Sequence, residues 1–262
     1  MVRIQYASRL FMNFSRLQPA PNTDYLVLAG NCVQPNARSI DEIFSYLSNT
    51  WKRSYIIPGT LEHSSPPNQK QCWQTQAELL RKKSMNYKNV FICEHSLFRE
   101  KGFTLLATPL GGAFLGARHE LEALDPPLKN YVTKDDSLRT LQFINEEDQS
   151  FLSNALRVER CSKNPIIVAT YQLPVLDLVG NKIMNSLAMG QRSPTSLTGT
   201  VSFLSPALQG LLNSGYTPVK GWIAGASDSS VSLVSESPHE TLYTTNPATS
   251  PGYKSDWFIE FS

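Results

Sequence analysis

Ser54-Tyr-Ile-Ile-Pro-Gly-Thr-Leu-Glu-His63 decides how the rest of the chain is read. Its first half is an apolar, β-prone run, and Pro58-Gly59 stops the run abruptly and opens a short polar turn. Such a stretch is the end of a buried strand that delivers a loop to a rim. In α/β folds the loops at the carboxyl ends of parallel strands face a crevice rather than the core, and catalytic groups sit there. The residues delivered here are Thr60 and Leu61, which are poor at chemistry. A frame for a site without the reactive groups of one recurs at each comparable loop.

Upstream, Ile4-Gln-Tyr-Ala7 reads as a first strand and Arg9 to Phe14 as the loop leaving it. Tyr25-Leu-Val-Leu-Ala29 is a continuous apolar run between Asp24 and Gly30, as expected of a strand covered on both faces. Ser39 is an N-cap candidate ahead of Ile40, Ile43, Phe44 and Leu47, whose spacing of three and four marks an amphipathic helix. That helix hands over to the strand ending at Pro58 and completes a βαβ unit. Downstream come a helix over Gln74–Leu80, strands over Val90–Cys93 and Phe103–Thr108, and a helical region from Asp135 to Leu156 with Phe151, Leu152 and Leu156 as its buried stripe. Ile166–Ala169 is another apolar strand, 206–212 a short helix and Lys220–Gly225 a strand. The tail reads as antiparallel strands through 230–234, 241–244 and 257–261. Two Gly/Pro/Ser-rich excursions, 111–129 and 181–200, interrupt this order.

The chain has 262 residues, 41% hydrophobic and 18% charged, with a net charge of +2. One domain spanning 1–262 accommodates that length, and the composition argues against wholesale disorder. No stretch reaches the ~18 consecutive apolar residues of a membrane span, and the N-terminus enters a strand directly with no signal-peptide pattern. Cys32, Cys72, Cys93 and Cys161 form neither a Cys-x-x-Cys pair nor a metal-knuckle spacing, which suggests free thiols in the cytosol or in an assembly made there. The Arg81-Lys82-Lys83 run reads as a solvated helix end before a phosphate patch, and aromatics do not interleave with basic residues as a nucleic-acid surface requires. His63, His95, His119 and His239 are scattered and read as surface or loop residues. Of these only His63, two positions after Leu61, could act at the rim through a shifted register. The Asp135-Asp136 pair reads as helix capping rather than a catalytic dyad.

Five strand ends, Ala7-Ser-Arg-Leu-Phe11, Leu28-Ala-Gly-Asn31, Pro58-Gly-Thr-Leu-Glu62, Ala169-Thr-Tyr-Gln-Leu-Pro174 and Trp222-Ile-Ala-Gly-Ala-Ser-Asp228, follow one another in an order and spacing that resemble the calcineurin-like metallophosphoesterases over essentially the whole chain. The resemblance implies an α/β fold of two facing mixed β-sheets flanked by helices. That family carries Asp-x-His, Gly-Asp, Gly-Asn-His-Glu, a His-containing turn and Gly-His-x-His at these five places. Matched onto this sequence, Arg9 stands at the first metal-binding Asp, Phe11 at the adjacent His, and Asn31 at the Asp that bridges two metals. Thr60 stands at the metal-binding Asn and Leu61 at the His that assists the leaving group. Tyr171, Ala226 and Asp228 stand at three further His positions, and only Gly30, Gly59, Glu62 and Gly225 keep the family residue.

A degenerate member is the implication. Two-metal hydrolysis needs dications to activate water and neutralise phosphate, and those ions need converging carboxylate, carbonyl or imidazole donors. The expectation is therefore a pseudoenzyme without catalytic residues, metal or other cofactor, kept as a structural or interaction subunit with protein partners in a larger assembly, and with neither nucleic acid nor membrane as partner. An active phosphoesterase with a rebuilt site and an anion-binding module using Arg9 are the alternatives. Arg9 and Asp228 are further expected to meet as an ion pair in place of the metals.

Overall fold

A strand that is apolar at every position needs cover on both faces, and β2 (Tyr25–Ala29) is buried along its whole length. Tyr25, Val27 and Ala29 face one core, and Leu26 and Leu28 face another, as the two-residue period of a strand requires. The structure is a computed structural model that describes residues 1–63, 73–110, 136–178, 189, 202, 204–214, 219–227, 229–235, 240–250 and 252–261.

Beside β2 run β1 (Val2–Ala7) and β3 (Arg53–Ile57), both parallel to it. β4 (Val90–Ile92) continues the sheet parallel to β3, and β11 (Phe258–Phe261) closes the far edge antiparallel to β1. The second sheet has the order β5 (Ser96–Glu100), β6 (Phe103–Thr108), β7 (Ile166–Thr170), β8 (Val219–Ala224), β10 (Thr241–Thr245) and β9 (Val231–Ser235). β6, β7, β8 and β10 are parallel to one another, and the two edge strands are antiparallel. The expected architecture of two facing mixed sheets is thus present, with the five anticipated core strands divided between them.

Between the sheets, Ile4, Tyr6, Val27, Tyr55 and Ile57 of the first share one inner core with Leu105, Ile167 and Ile223 of the second, while Val168 and Trp222 continue the same cluster on the second sheet's other face. Polar tips of large aromatics cross the same gap. The Tyr6 hydroxyl lies 2.5 Å from Thr244 Oγ1, and burial pushes its pKa up to about 12. The Tyr55 hydroxyl donates to Glu100 Oε1 at 2.8 Å, and Tyr25 meets Phe103 edge-on at 4.9 Å. On the outer face of the first sheet α1 (Ile40–Thr50) buries Ile40, Ile43, Phe44 and Leu47, the stripe its spacing anticipates. α2 (Trp73–Ser84) packs beside β4. Leu152 and Leu156 of α3 (Asp136–Glu159) and Leu208 of α4 (Pro206–Asn213) belong to the inner core's cluster. α4 is capped by Ser205, whose hydroxyl accepts from Leu208 N, with Pro206 in the first turn. No described helix is long and apolar enough to cross a membrane.

Several sequence expectations need correcting. Ser39 sits at the N-cap of α1 but its side chain makes no capping bond. The helical region read over Asp135–Leu156 is present as the single helix α3, which starts at Asp136 and runs on to Glu159. β10 is not antiparallel on both sides, because it lies parallel to β8. β5 escaped notice, since Ser96-Leu-Phe-Arg-Glu100 carries two charges and lies at an edge. The excursion 111–129, the excursion 181–200 apart from Met189, and Asp135, Asp228, His119, His239 and Cys72 lie outside the described residues.

The sheets approach closely where β8 ends. A Cβ on Gly225 would stand 1.5 Å from the carbonyl oxygen of Ala29, an impossible contact with backbone of the opposite sheet. Gly210, within α4, has nothing within 4 Å of its Cβ position. Gly225→Ala is therefore expected to destabilise the fold by about 3 kcal/mol or more, and Gly210→Ala to stabilise it by roughly 0.5–1 kcal/mol. Urea unfolding of both variants, compared with the parent chain, checks the pair.

Candidate functional site

The carboxyl ends of the parallel strands meet at one rim, and its floor is made of backbone. Gly30 and Asn31 both take positive φ, 77° and 56°, which turns the amides of the loop after β2 inward as an anion-binding nest. The carboxylate of Glu62, fully buried, fills that nest. Its Oε1 accepts from Cys32 N (2.7 Å) and Val33 N (2.9 Å), and its Oε2 from Asn31 N (2.8 Å) and Gly59 N (2.9 Å). One side chain from the turn after β3 thereby clamps both loops. Burial and the Glu62 charge push the Cys32 thiol well above its ordinary pKa, so Cys32 stays protonated and unreactive.

The loop after β1 is zipped onto this floor. Arg9 N donates to Gly30 O at 2.9 Å, Phe11 N to Asn31 O at 2.9 Å, and Met12 N to Cys32 O at 3.0 Å. These bonds hold Arg9, Phe11 and Met12 at φ of 53°, 46° and 67°, a region that costs a non-glycine residue roughly 1–3 kcal/mol.

Above the floor, the residues that stand at ligand positions in the resemblance are bonded to one another. Asn31 Oδ1 accepts from the Thr60 hydroxyl (2.8 Å) and from Leu61 N (2.8 Å), while Asn31 Nδ2 donates to the Tyr171 hydroxyl (3.0 Å). Three of the four hydrogen-bonding positions of the amide are thus used. Tyr171 lies flat over two glycines, with its ring 2.2 Å from where a Gly30 Cβ would stand and 2.8 Å from that of Gly59. Its backbone is fixed too, since Tyr171 N donates to Pro109 O and its carbonyl accepts from Gly225 N (3.0 Å) and Ala226 N (2.7 Å). Thr60, Tyr171 and Ala226 are all buried.

Arg9, Phe11, Asn31, Thr60, Leu61, Glu62, Tyr171 and Ala226 therefore do share one rim. Arg9 Nη1 points at Ser227 O from 3.4 Å, and its guanidinium lies 5.8 Å from the Phe11 ring. The Arg9–Asp228 pair cannot be described, because Asp228 is outside the described residues. Dications need several converging hard donors. Among the described residues the rim offers an engaged amide, a threonine, a phenol and a guanidinium, and no group of three or more His, Cys, Asp or Glu is placed to hold a metal ion. This donor set does not fit a dinuclear metal centre.

His63 and His95 both lie in loops, as the sequence reading has them, and both are engaged by carboxylates. His63 is half-buried in the turn after β3. Its Nε2 lies 3.2 Å from Glu94 Oε1, whose carboxylate also pairs with Arg81. Burial lowers the His63 pKa, the carboxylates of Glu62 and Asp148 offsetting this in part. His95, at φ 46°, places Nε2 at 2.7 Å from Asp148 Oδ1, which also accepts from Thr108 Oγ1. The hydrogen bond to that buried carboxylate raises the His95 pKa. Sequence gave no signal for this pairing, whose partners are 53 residues apart.

No protein-family model matches the chain, and no curated protein matches it in sequence. Among solved structures it is similar to the phosphopantetheinyl hydrolase from Mycobacterium tuberculosis, at 13% identity and a TM-score of 0.58, over 97% of this chain and 90% of that one. It also matches a dimetal phosphatase from Danio rerio at 13% identity and a TM-score of 0.49, over 92% and 86% of the two chains. The likeness is one of fold, the metallophosphoesterase-like sandwich.

Two predictions come from this geometry. Glu62→Ala leaves four buried amides without an acceptor and is expected to cost on the order of 3–5 kcal/mol. Glu62→Gln recovers little, because an NH2 group would face amide donors at whichever oxygen it replaced; urea unfolding measures both. The histidines give stability opposite pH slopes. The lowered pKa of His63 contributes stability that is present above the ordinary value of 6.5 and lost as pH falls through the lower folded value. The raised pKa of His95 contributes stability that is full below 6.5 and lost as pH rises through the higher folded value. Unfolding free energies between about pH 5 and 8 are expected to flatten on the acid limb in His63→Gln and on the alkaline limb in His95→Gln.

Proposed function

We propose that this chain is a catalytically silent user of the metallophosphoesterase fold, serving as a structural or interaction subunit of a larger protein assembly in the cytosol or formed there. The observation that carries the reading is the Asn31–Thr60–Tyr171 network. The residues standing where the resemblance would put metal ligands satisfy one another's hydrogen bonds and fill the space with an aromatic ring. A bridging water between two cations, the source of nucleophile and charge neutralisation in two-metal hydrolysis, has no donors to hold it there. Arg9 adds a fixed positive charge that repels cations.

Retention of an elaborate rim without hydrolytic groups favours a role in contacts, and the excursions 111–129 and 181–200 are the segments assigned to them. Hydrolysis, the activity named for the two structural neighbours, is the competing reading. The deciding experiment expresses the full chain with Mn, Fe, Zn and Mg supplied, measures metal content, and assays a generic phosphodiester. The expected result is substoichiometric metal, no metal-dependent turnover and no loss of stability on chelation. One or two tightly held metals per chain, with turnover abolished by Asn31→Ala, overturns it. Replacing either excursion with a short Gly/Ser linker is expected to leave the chain folded and to remove it from its native assembly.

A further inference from the structure

At the ends of the strands remote from the rim, a cleft of about 480 Å³ opens between the amino ends of β1, β2 and β3 and the β5–β6 turn. That volume lies within the roughly 300–1,000 Å³ of sites that hold organic ligands, and it exceeds what a single ion fills. The turn is fixed against the first sheet, because at Gly102 (φ 96°) the backbone comes so close to β1 that a Cβ would stand 2.7 Å from Val2 Cγ2. Arg3, Lys52 and Lys101 line the cleft against one carboxylate, Asp24. Arg3 is already engaged, since its Nε pairs with Glu260 and its Nη1 reaches Pro21 O at 3.4 Å. Lys52 and Lys101 are exposed, and neither joins an ion pair among the described residues. Tyr25 also lines the cleft and is only 5% exposed. Its ring meets Phe103 edge-on, and Lys52 Nζ lies 5.9 Å from the ring centroid. Its hydroxyl makes no hydrogen bond with any described residue. Burial, reinforced by the charges of Glu100 and Asp24, raises its pKa, so it stays a protonated donor. A largely buried donor without an acceptor is costly.

We propose that this cleft binds a carboxylate-rich peptide segment of a partner protein. The two free ammonium groups are compact charges on flexible stems that take carboxylates from many directions. The Tyr25 hydroxyl and the exposed Asn22 amide add neutral donors to the same lining. Asp24 decides between kinds of polyanion. A peptide spaces its charges along a neutral backbone whose N–H groups can donate to Asp24, whereas a nucleic-acid strand brings an unbroken row of phosphates to a carboxylate that repels them. Tyr25 is the one aromatic residue in the lining, and with its ring buried against Phe103 and Lys52 beside it, it gives a base no open face on which to stack. The cleft and the rim are at opposite ends of the strands, so this inference goes beyond the metal-free reading of the rim and does not depend on it.

The test titrates the full chain into a capped, fluorescein-labelled hexaglutamate peptide at low ionic strength and follows anisotropy, with hexaglutamine as the neutral counterpart. Saturable binding of hexaglutamate is expected, with none of hexaglutamine. Lys52→Gln and Lys101→Gln are each expected to weaken it by about fivefold, and the double variant by more than either. Arg38→Gln, which removes an exposed cation from the loop after β2 at the other end of the sheet, is expected to match the parent. Tyr25→Phe is expected to weaken binding by about threefold and to leave the urea midpoint where it was, because the hydroxyl has no partner among the described residues to lose. Absence of saturable binding overturns the inference, as does equal binding by the double variant and the parent, or an equal loss in Arg38→Gln, which would mark general attraction to a basic protein. Tighter binding of single-stranded DNA of matched charge through the same two lysines overturns the assignment to a peptide. A lowered urea midpoint in Tyr25→Phe with binding unchanged overturns the part given to its hydroxyl. None of these results bears on metal content or turnover, so failure here leaves the reading of the rim standing.

Discussion

The buried carboxylate of Glu62 in its nest of backbone amides is the constraint on which the rim depends. A carboxylate out of water is tolerable only when its lone pairs are met. Here they are met by Asn31, Cys32, Val33 and Gly59. In return, the carboxylate fixes the left-handed turn at Gly30 and Asn31, and that turn presents its carbonyls to the loop bearing Arg9 and Phe11. One side chain thus binds two loops directly, and the third, from β1, is held through the backbone of the loop after β2. The neutral network above them can be precise because the floor beneath it does not move, as a fully satisfied buried polar cluster rigidifies its surroundings.

The same logic separates what could be read from the sequence from what could not. Strands such as Tyr25–Ala29 and Ile166–Thr170 declare themselves because burial on both faces leaves an unbroken apolar run. α1 declares itself through its stripe. β5 does not, because an edge strand with Arg99 and Glu100 carries no such run, and its Arg99 is taken up by Glu159 far along the chain. The five rim frames were legible from their glycines and order, and the described residues at them meet at one rim. The partners they chose were not legible. That Asn31 would spend its amide on Thr60 and Tyr171, or that Glu62 would hold four amides rather than merely persist, depends on distances between loops, and sequence spacing does not encode them. Scattered histidines looked idle for the same reason. His63 and His95 each found a carboxylate supplied by another loop or helix.

Two kinds of polar chemistry thus share the rim. Below, charge is buried and completely answered. At the lip, Arg9 and Phe11 are held in costly backbone geometry beside solvent, with part of the guanidinium unanswered among the described residues. Strain tends to persist where the surrounding structure over-determines it, and here the over-determination comes from the zipper between the first two loops.

The ring of Tyr171 also has a consequence for how this sequence can change. It rests on two glycines, donates its backbone N–H to Pro109 O, receives N–H bonds from Gly225 and Ala226, and meets the Asn31 amide with its hydroxyl. Exchanging it for a histidine opens a void over Gly30 and Gly59 and robs Asn31 of an acceptor, before any second ligand is present to reward the change. Exchanging Asn31 for aspartate first places a carboxylate a few ångströms from that of Glu62. Each single step towards a metal-binding rim is downhill in fitness for folding, and only several together are coherent. The rim is therefore a ratchet: local sequence drift can vary its lip, but its centre is held in this state by the interdependence of its parts.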